Sequence, residues 1–508
     1  FYTRPVTTLD FGSLYPSIMG FMNLCPSTLV RDASRRKRLV ALVEGRYEDV
    51  KIVEMVCTVD GMVLLNKLNA EPGSLASLAA DMGDMRGSSF RAFYIGGDAP
   101  WVCFCSSQPG LVPDVLKNLL SERKVKKRAM EQAFERATAY KEAGDGAAYE
   151  AEMAKVAILN SDQLALKVSA NSIYGFMGAQ DCGILPCVEI AKVTTMVGRY
   201  MIGWTKEIVE DMFDGNVEVI YGDTDSVFCH FKDLDPEDLE TAFARGDQMA
   251  SEATAIIKIS VLENEKTYKR FLLMRKKRYV GLMYEKVGDE IKQTKMDTKG
   301  IDVVRRDNFE FARRISTDFL RQLMYMGDLD GAIAKIHEHL DQYRSFALPM
   351  SDFIQSKSLR DDYASDNLIH LAVVRKMAAR NPGSEPKTGD RVQYVLTRSA
   401  NANAKACEKA EDPVYVERHG VALDYVHYLR NTMSQLCGLL EPCIADPERL
   451  FREAVVAVEK HGMAVRDVTS YEGLTVRPSE GGRGPTVHKL GALIAEDVPR
   501  KRQAKRRR

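Results

Sequence analysis

The chain has 508 residues, 71 Lys and Arg against 71 Asp and Glu, and 45% apolar residues. That length argues for several subdomains rather than one globule. No apolar run is long enough to cross a bilayer, so no membrane partner is expected, and a net charge of zero gives no long-range pull on a polyanion.

Positive charge is gathered locally, at Arg35-Arg36-Lys37-Arg38, Arg123 to Arg128, Arg275 to Arg278 and Lys501 to Arg508. Such runs are usually solvated faces and count only if chemistry elsewhere asks for phosphate. The ten cysteines form no CxxC pair, and Cys103 and Cys105 stand too close together for a zinc half-site, which predicts reduced, structural thiols in an intracellular protein. The chain starts at Phe1, with no basic-then-apolar leader, and predicts a piece cut from a longer protein.

Val6 to Phe11 is apolar and β-branched and reads as a strand that delivers Asp10 to its end, with Gly12, Pro16 and Pro26 punctuating a turn and short helix. Residues 31–108 read as short strands and loops of a variable insertion. Two charged, helix-favouring stretches, Asp114 to Lys141 and Ala147 to Ser172, flank Gly144-Asp145-Gly146 and predict an antiparallel helical hairpin. An amphipathic helix follows over 187–213. The alternating strands Val217 to Tyr221 and Ser226 to His230 then make a β-hairpin with carboxylates at its tip. A helix to about residue 260 and strands over 270–299 are expected next, and mostly helix after Arg305. The Gly-rich, basic end from 475 is expected to be poorly ordered.

Asp10 and the pair Asp223 and Asp225 each close an apolar strand. A turn-forming role is the plainer reading for either alone. A buried strand end is, however, a costly place for a naked carboxylate, and hard oxygen donors there suit Mg²⁺. Lys167, Asn171 and Tyr174 recur at helical spacing and share one face, which offers a cation, an amide and a flat ring; Arg123 and Lys127 are likewise four apart. Lys276-Lys277-Arg278-Tyr279 reads as strand, with Lys277 and Tyr279 on one face and Lys276 and Arg278 on the other.

These segments resemble the motifs of B-family DNA polymerases. Asp10 to Ser17 is similar to motif A, DxxSLYPS; Lys167 to Gly175 to motif B, KxxxNSxYG; and Tyr221 to Ser226 to motif C, YGDTDS. Ser121 to Lys127 is similar to the finger helix, Lys276 to Tyr279 to the KKRY stretch, and Thr298 to Asp307 to KGxxxVRRD. Their order along the chain is that of the family, and so many matches in order leave little room for chance.

The resemblance implies an α+β, right-hand architecture: an antiparallel palm with motif A and the insertion over 1–113, helical-hairpin fingers over 114–176, palm again over 177–310, a mostly helical thumb over 311–474 and a basic tail over 475–508. It implies primer-template DNA and deoxynucleoside triphosphates as substrates, and two Mg²⁺ ions, replaceable by Mn²⁺, as cofactors. Asp10, the Phe11 carbonyl and Asp225 would hold the ions, with Asp223 in support. Ser13, Leu14, Tyr15, Arg123, Lys127, Lys167, Asn171 and Tyr174 would bind the nucleotide, Tyr15 excluding a ribose. Gly175, Lys276, Lys277, Arg278, Tyr279, Lys299 and Arg305 would bind DNA. A processivity factor is a further expected partner.

The spacer Gly183 to Cys187 and the long insertion look most like the viral and delta-like branches, and no cysteine pairs follow the thumb, which points to a large DNA virus replicating in the host nucleus. The residues present predict no proofreading site. Two rivals are weighed: a catalytically dead scaffold, against which the intact Asp10, Asp223, Asp225 and Lys167 argue, and a reverse transcriptase or RNA-dependent polymerase, whose adjacent Asp-Asp is missing from Tyr221 to Ser226.

Overall fold

A computed structural model of the chain describes residues 1–31, 52–59, 62–68, 90–94, 101–181, 183, 186–288, 290–301, 307–363, 365, 367–399, 401 and 403–469. These divide into two compact units. One comprises Arg4–Lys269 and Met283–Thr294; the other comprises Phe1–Thr3, Arg270–Leu282 and the described residues from Lys295 onward.

In the first unit the strand β1 (Val6–Phe11) is buried along its length except at Asp10, which is only part-buried. Its β-branched residues suit a central strand. Antiparallel partners flank it on both sides: β7 (Ser226–Phe231), hairpinned to β6 (Val217–Asp223), and β8 (Leu262–Arg275). With β9 (Arg278–Val287) and β10 (Glu290–Lys299) the order is β10-β9-β8-β1-β7-β6. The hydroxyls of Thr7 and Thr267 satisfy each other across β1 and β8 at 2.8 Å. β8 starts at Leu262, well before the 270 expected from sequence, a difference that matters for the site.

Helix α1 (Leu14–Phe21) buries Leu14, Pro16, Ile18 and Met19. The expected hairpin is α2 (Leu111–Glu142) and α3 (Gly146–Gly178). At its turn Gly144 takes φ +75° and the Asp145 carboxylate accepts from the Ala148 amide at 3.0 Å, a helix N-cap. The base of α2 is clamped. The Asn23 side-chain amide donates to the carbonyls of Cys105 (2.8 Å) and Gln108 (2.7 Å), and its oxygen accepts from the Gly110 amide at 2.9 Å. A Cβ on Gly110 would lie 2.6 Å from the Cys25 Cβ, so only glycine permits this approach.

Helix α4 (Val188–Asp211) packs on α1 and β6, and α5 (Leu239–Ile257) on β1. Within the expected insertion lies a separate sheet, β2 (Ile52–Val59), β3 (Met62–Leu68), β4 (Phe90–Tyr94) and β5 (Trp101–Cys105), antiparallel in that order. Cys25, Cys187 and Cys229 are buried free thiols.

The second unit is mostly helical, with α6 (Glu310–Arg321), α7 (Leu329–Arg344), α8 (Ile369–Arg380), α9 (Tyr425–Leu440) and α10 (Arg452–Thr469), plus a small sheet of β11 (Gln355–Ser358), β12 (Arg391–Leu396) and β13 (Ala410–Glu411). Phe309, Phe311, Tyr343, Phe353 and Tyr428 form an aromatic core. The buried Asp352 accepts two bonds from the Arg314 guanidinium, at 3.0 and 2.7 Å. The basic tail from 475 lies outside the described residues.

Candidate active site

The register of the sheet brings distant carboxylates to one end of it. Asp10 pairs with Ser226 on β7 and with Glu263 on β8. The Phe11 amide donates to the Asp225 carbonyl at 2.8 Å, which pins the hairpin tip to the end of β1. Within that tip Thr224 holds φ +54°, and the Asp225 amide donates back to the Asp223 carbonyl at 2.6 Å. The two-residue turn of Thr224 and Asp225 thereby sets Asp225 beside Asp223, the last residue of β6.

Burial first, and then the charge of Asp225 and of Glu265, push the Asp10 carboxyl up to about 7; Lys167 and Lys266 pull the other way. The Asp225 carboxyl is also raised, first by burial and further by Asp223 and Glu265, against the opposing charge of Lys167. These acids therefore repel one another, and a cation among them would turn that repulsion into attraction. Among the described residues no three His, Cys, Asp or Glu side chains meet closely enough to hold an ion. The donor chemistry nonetheless fits a hard divalent cation, being all carboxylate oxygen at a part-buried strand end.

The helical hairpin supplies the cations. Lys167, exposed on α3, acts on both Asp10 and Asp225. Arg123 on α2 donates to the Ser13 hydroxyl at 2.9 Å and to the Gln163 side-chain carbonyl at 3.3 Å. Lys127, one turn on, lies 3.6 Å from Glu263, both side chains being about half exposed. Ser13 itself takes a left-handed conformation, φ +58°, before α1, and Leu14 and Tyr15 open that helix. The Tyr15 ring meets Tyr174 of α3 with centroids 4.4 Å apart, while Asn171 and Gly175 of the same helix are exposed.

In the second unit the expectation for Lys276 to Tyr279 needs correction. Lys276 and Lys277 are not strand residues sharing faces with their neighbours; they form the tight turn between β8 and β9, with Lys277 at φ +61°. Arg278 donates to the Gly300 carbonyl at 2.9 Å, and Tyr279 is buried against Phe271. Lys299 lies 3.5 Å from the buried Asp297. Arg305, within 302–306, lies outside the described residues. A cleft of about 530 Å³ in this unit is lined by Asp307, Lys357, Arg360, Arg391 and His370 among others.

Sequence reasoning missed Glu263, Glu265 and Lys266, which β8 aligns beside Asp10. The run Leu262 to Tyr268 is mostly polar and lacks apolar alternation, so its strand character is concealed; the alternation of Glu263 and Glu265 is the signal that could have found it.

Carboxylates at a sheet end, facing cations from a helical hairpin, make a site suited to polyphosphate chemistry. Comparison with known proteins gives the family. The family model for DNA polymerase family B matches residues 1–443. The chain is 34% identical over 460 residues to the DNA polymerase delta catalytic subunit of Arabidopsis thaliana, covering 88% of this chain and 35% of that protein. The subunit of the same name in Oryza sativa subsp. japonica is 35% identical over 463 residues, with 88% and 35% covered, and that of Drosophila melanogaster 33% over 483, with 93% and 37% covered. The chain belongs to DNA polymerase family B, and spans about a third of the length of these relatives.

Proposed function

We propose that this chain carries the polymerising centre of a DNA-directed DNA polymerase, extending a primer 3′-hydroxyl with deoxynucleoside triphosphates along a DNA template and releasing pyrophosphate. The observation that carries the proposal is the backbone bond from Phe11 to Asp225, which joins the Asp10 strand to the Asp223–Asp225 turn.

In this reading Asp10, Asp225 and the Phe11 carbonyl hold two divalent ions, Mg²⁺ or Mn²⁺, with Asp223 in support; such ions activate the attacking hydroxyl and hold the leaving group. Lys167, Arg123 and Lys127 grip the triphosphate and offset the charge that builds on pyrophosphate. Ser13, Leu14, Tyr15, Asn171 and Tyr174 seat the nucleotide, and Tyr15 lies under its sugar. The hairpin α2–α3 acts as fingers, the antiparallel sheet as palm and the helical second unit as thumb. Gly175, Lys276 to Tyr279, Lys299, Arg305 and the basic cleft at Lys357, Arg360 and Arg391 meet the duplex through phosphates and other groups common to all base pairs. A processivity factor as partner and a large DNA virus as source, acting in the host nucleus, belong to the same reading, the latter supported by the Gly183 to Cys187 spacer and the insertion.

The test is extension of a primed DNA template with deoxynucleotides, with ribonucleotides, and on an RNA template. Deoxynucleotide addition on DNA is expected from the chain and not from its Asp225→Asn variant, and Tyr15→Ala is expected to admit ribonucleotides while keeping deoxynucleotide addition. Copying by Asp225→Asn at the unaltered rate would sink the proposal.

A further inference from the structure

Gly198 lies midway along α4, buried where α1 packs on that helix. Glycine inside a helix is about 1 kcal/mol less favourable than alanine, a cost that a close packing contact can offset. The nearest neighbour of Gly198 across the helix interface is Tyr15. A Cβ on Gly198 would stand 3.4 Å from the Tyr15 Cε1, 3.6 Å from the Ile18 Cδ1 and 3.6 Å from the Leu14 Cδ2. A single methyl would already touch three side chains, and a branched side chain has no room unless the ring yields. Gly203, the other interior glycine of α4, would meet nothing within 4 Å. The Tyr15 ring is also in contact with Tyr174, at 4.4 Å between centroids, so it is held by a second ring as well as by the bare patch of helix.

We infer that Gly198 is a positioning residue for Tyr15: by having no side chain it sets where that ring rests, and through the ring it sets how strictly the site rejects a ribonucleotide. The inference rests on the reading of Tyr15 as the ring beneath the sugar. Gly198 itself touches no substrate. Its influence passes wholly through a displacement of the ring, and a ring moved by about 1 Å is enough to change a rate on the order of a hundredfold.

The experiment compares Gly198→Ala, Gly198→Val, Tyr15→Ala and the double variant Tyr15→Ala/Gly198→Val in the 508-residue chain. Two readouts are used: the ratio of ribonucleotide to deoxynucleotide addition in single-turnover primer extension, and the melting temperature. Gly198→Val is expected to shift the ratio by about tenfold or more, and Gly198→Ala by less, since its methyl fits at contact distance. In the Tyr15→Ala background the valine should change the ratio no further, and the melting temperature lost in Gly198→Val should be regained, because the methyls occupy the space the ring has left. Neighbouring substitutions that share one space are non-additive in this way.

A folded Gly198→Val with the parental ratio overturns the inference. If Gly198→Val does not fold, the double variant decides: recovery of the fold supports competition for one space, and its absence overturns it. The Tyr15 reading fails separately, by an unchanged ratio in Tyr15→Ala itself.

Discussion

The guanidinium of Arg123 donates to the hydroxyl of Ser13 at 2.9 Å, joining the hairpin helix α2 to the residue that starts α1. The same guanidinium bonds Gln163 on α3, so one side chain links three segments at the proposed triphosphate site. Replacing it should be felt in nucleotide capture. Arg123→Ala is expected to lower kcat/KM for deoxynucleotides by about a hundredfold, with the melting temperature little changed. Lys126→Ala serves as control: its partner Asp162 is 2.7 Å away, but both side chains are 42% exposed, so the loss should stay below about 1 kcal/mol. Steady-state kinetics on both variants check this.

Because Asp10 and Asp225 repel, activity and stability should part company at this position. Asp225→Asn is expected to cut primer extension by at least about a hundredfold while the melting temperature in chelator holds or rises. Added Mg²⁺ should raise the melting temperature of the parent, since a ligand for the native state stabilises it, and should raise that of the variant less. A thermal melt with and without Mg²⁺ measures both.

Thr224 keeps a β-branched side chain at φ +54°, where L residues are strained by roughly 1–3 kcal/mol. Thr224→Gly is expected to stabilise the chain by about 1 kcal/mol or leave it neutral, yet to slow extension, because the turn that holds the two aspartates then has more conformations to choose from. Chemical denaturation and turnover, read together, test this opposition.

Away from the site, Asp352 is a buried charge whose loss should destabilise the second unit. Its carboxylate is 7% exposed and takes both bonds of the Arg314 fork, whose side chain is 33% exposed. Breaking a buried pair costs about 3–5 kcal/mol, but Arg314 can turn toward water, so about 2 kcal/mol is expected for Asp352→Asn. A urea titration gives the value.

Much of this was legible in the residues. The strand Val6–Phe11 and the hairpin tip at Asp223 to Asp225 stand where apolar alternation and polar turn residues indicate, and the paired helices α2 and α3 meet at the glycine-flanked turn. Local pattern carries such elements. It carries long-range register poorly: that Glu263 stands opposite Asp10 follows from β8 pairing with β1 across some 250 residues, and the polar run Leu262 to Tyr268 shows no apolar face to announce a strand. Lys276 and Lys277 were misread for the converse reason. A basic run flanked by apolar residues looks continuous with its strands, whereas the chain reverses at Lys276 and Lys277, with Lys277 at φ +61°. The Arg314 to Asp352 pair joins residues 38 apart, and nothing in the local sequence couples them.

The clamp at Asn23 and Gly110 would be the fulcrum of any swing of the hairpin. At 1.5 Å per residue, Arg123 stands about 20 Å from that fulcrum and the far end of α2 about 48 Å. A swing of about 10° at the base would carry the arginine roughly 3 Å and the distal turn roughly 8 Å. On the reading of Arg123 as a phosphate ligand, a small angular change at Gly110 would engage or release a phosphate-sized group there, and a spectroscopic label on the outer turn would register such a swing most strongly.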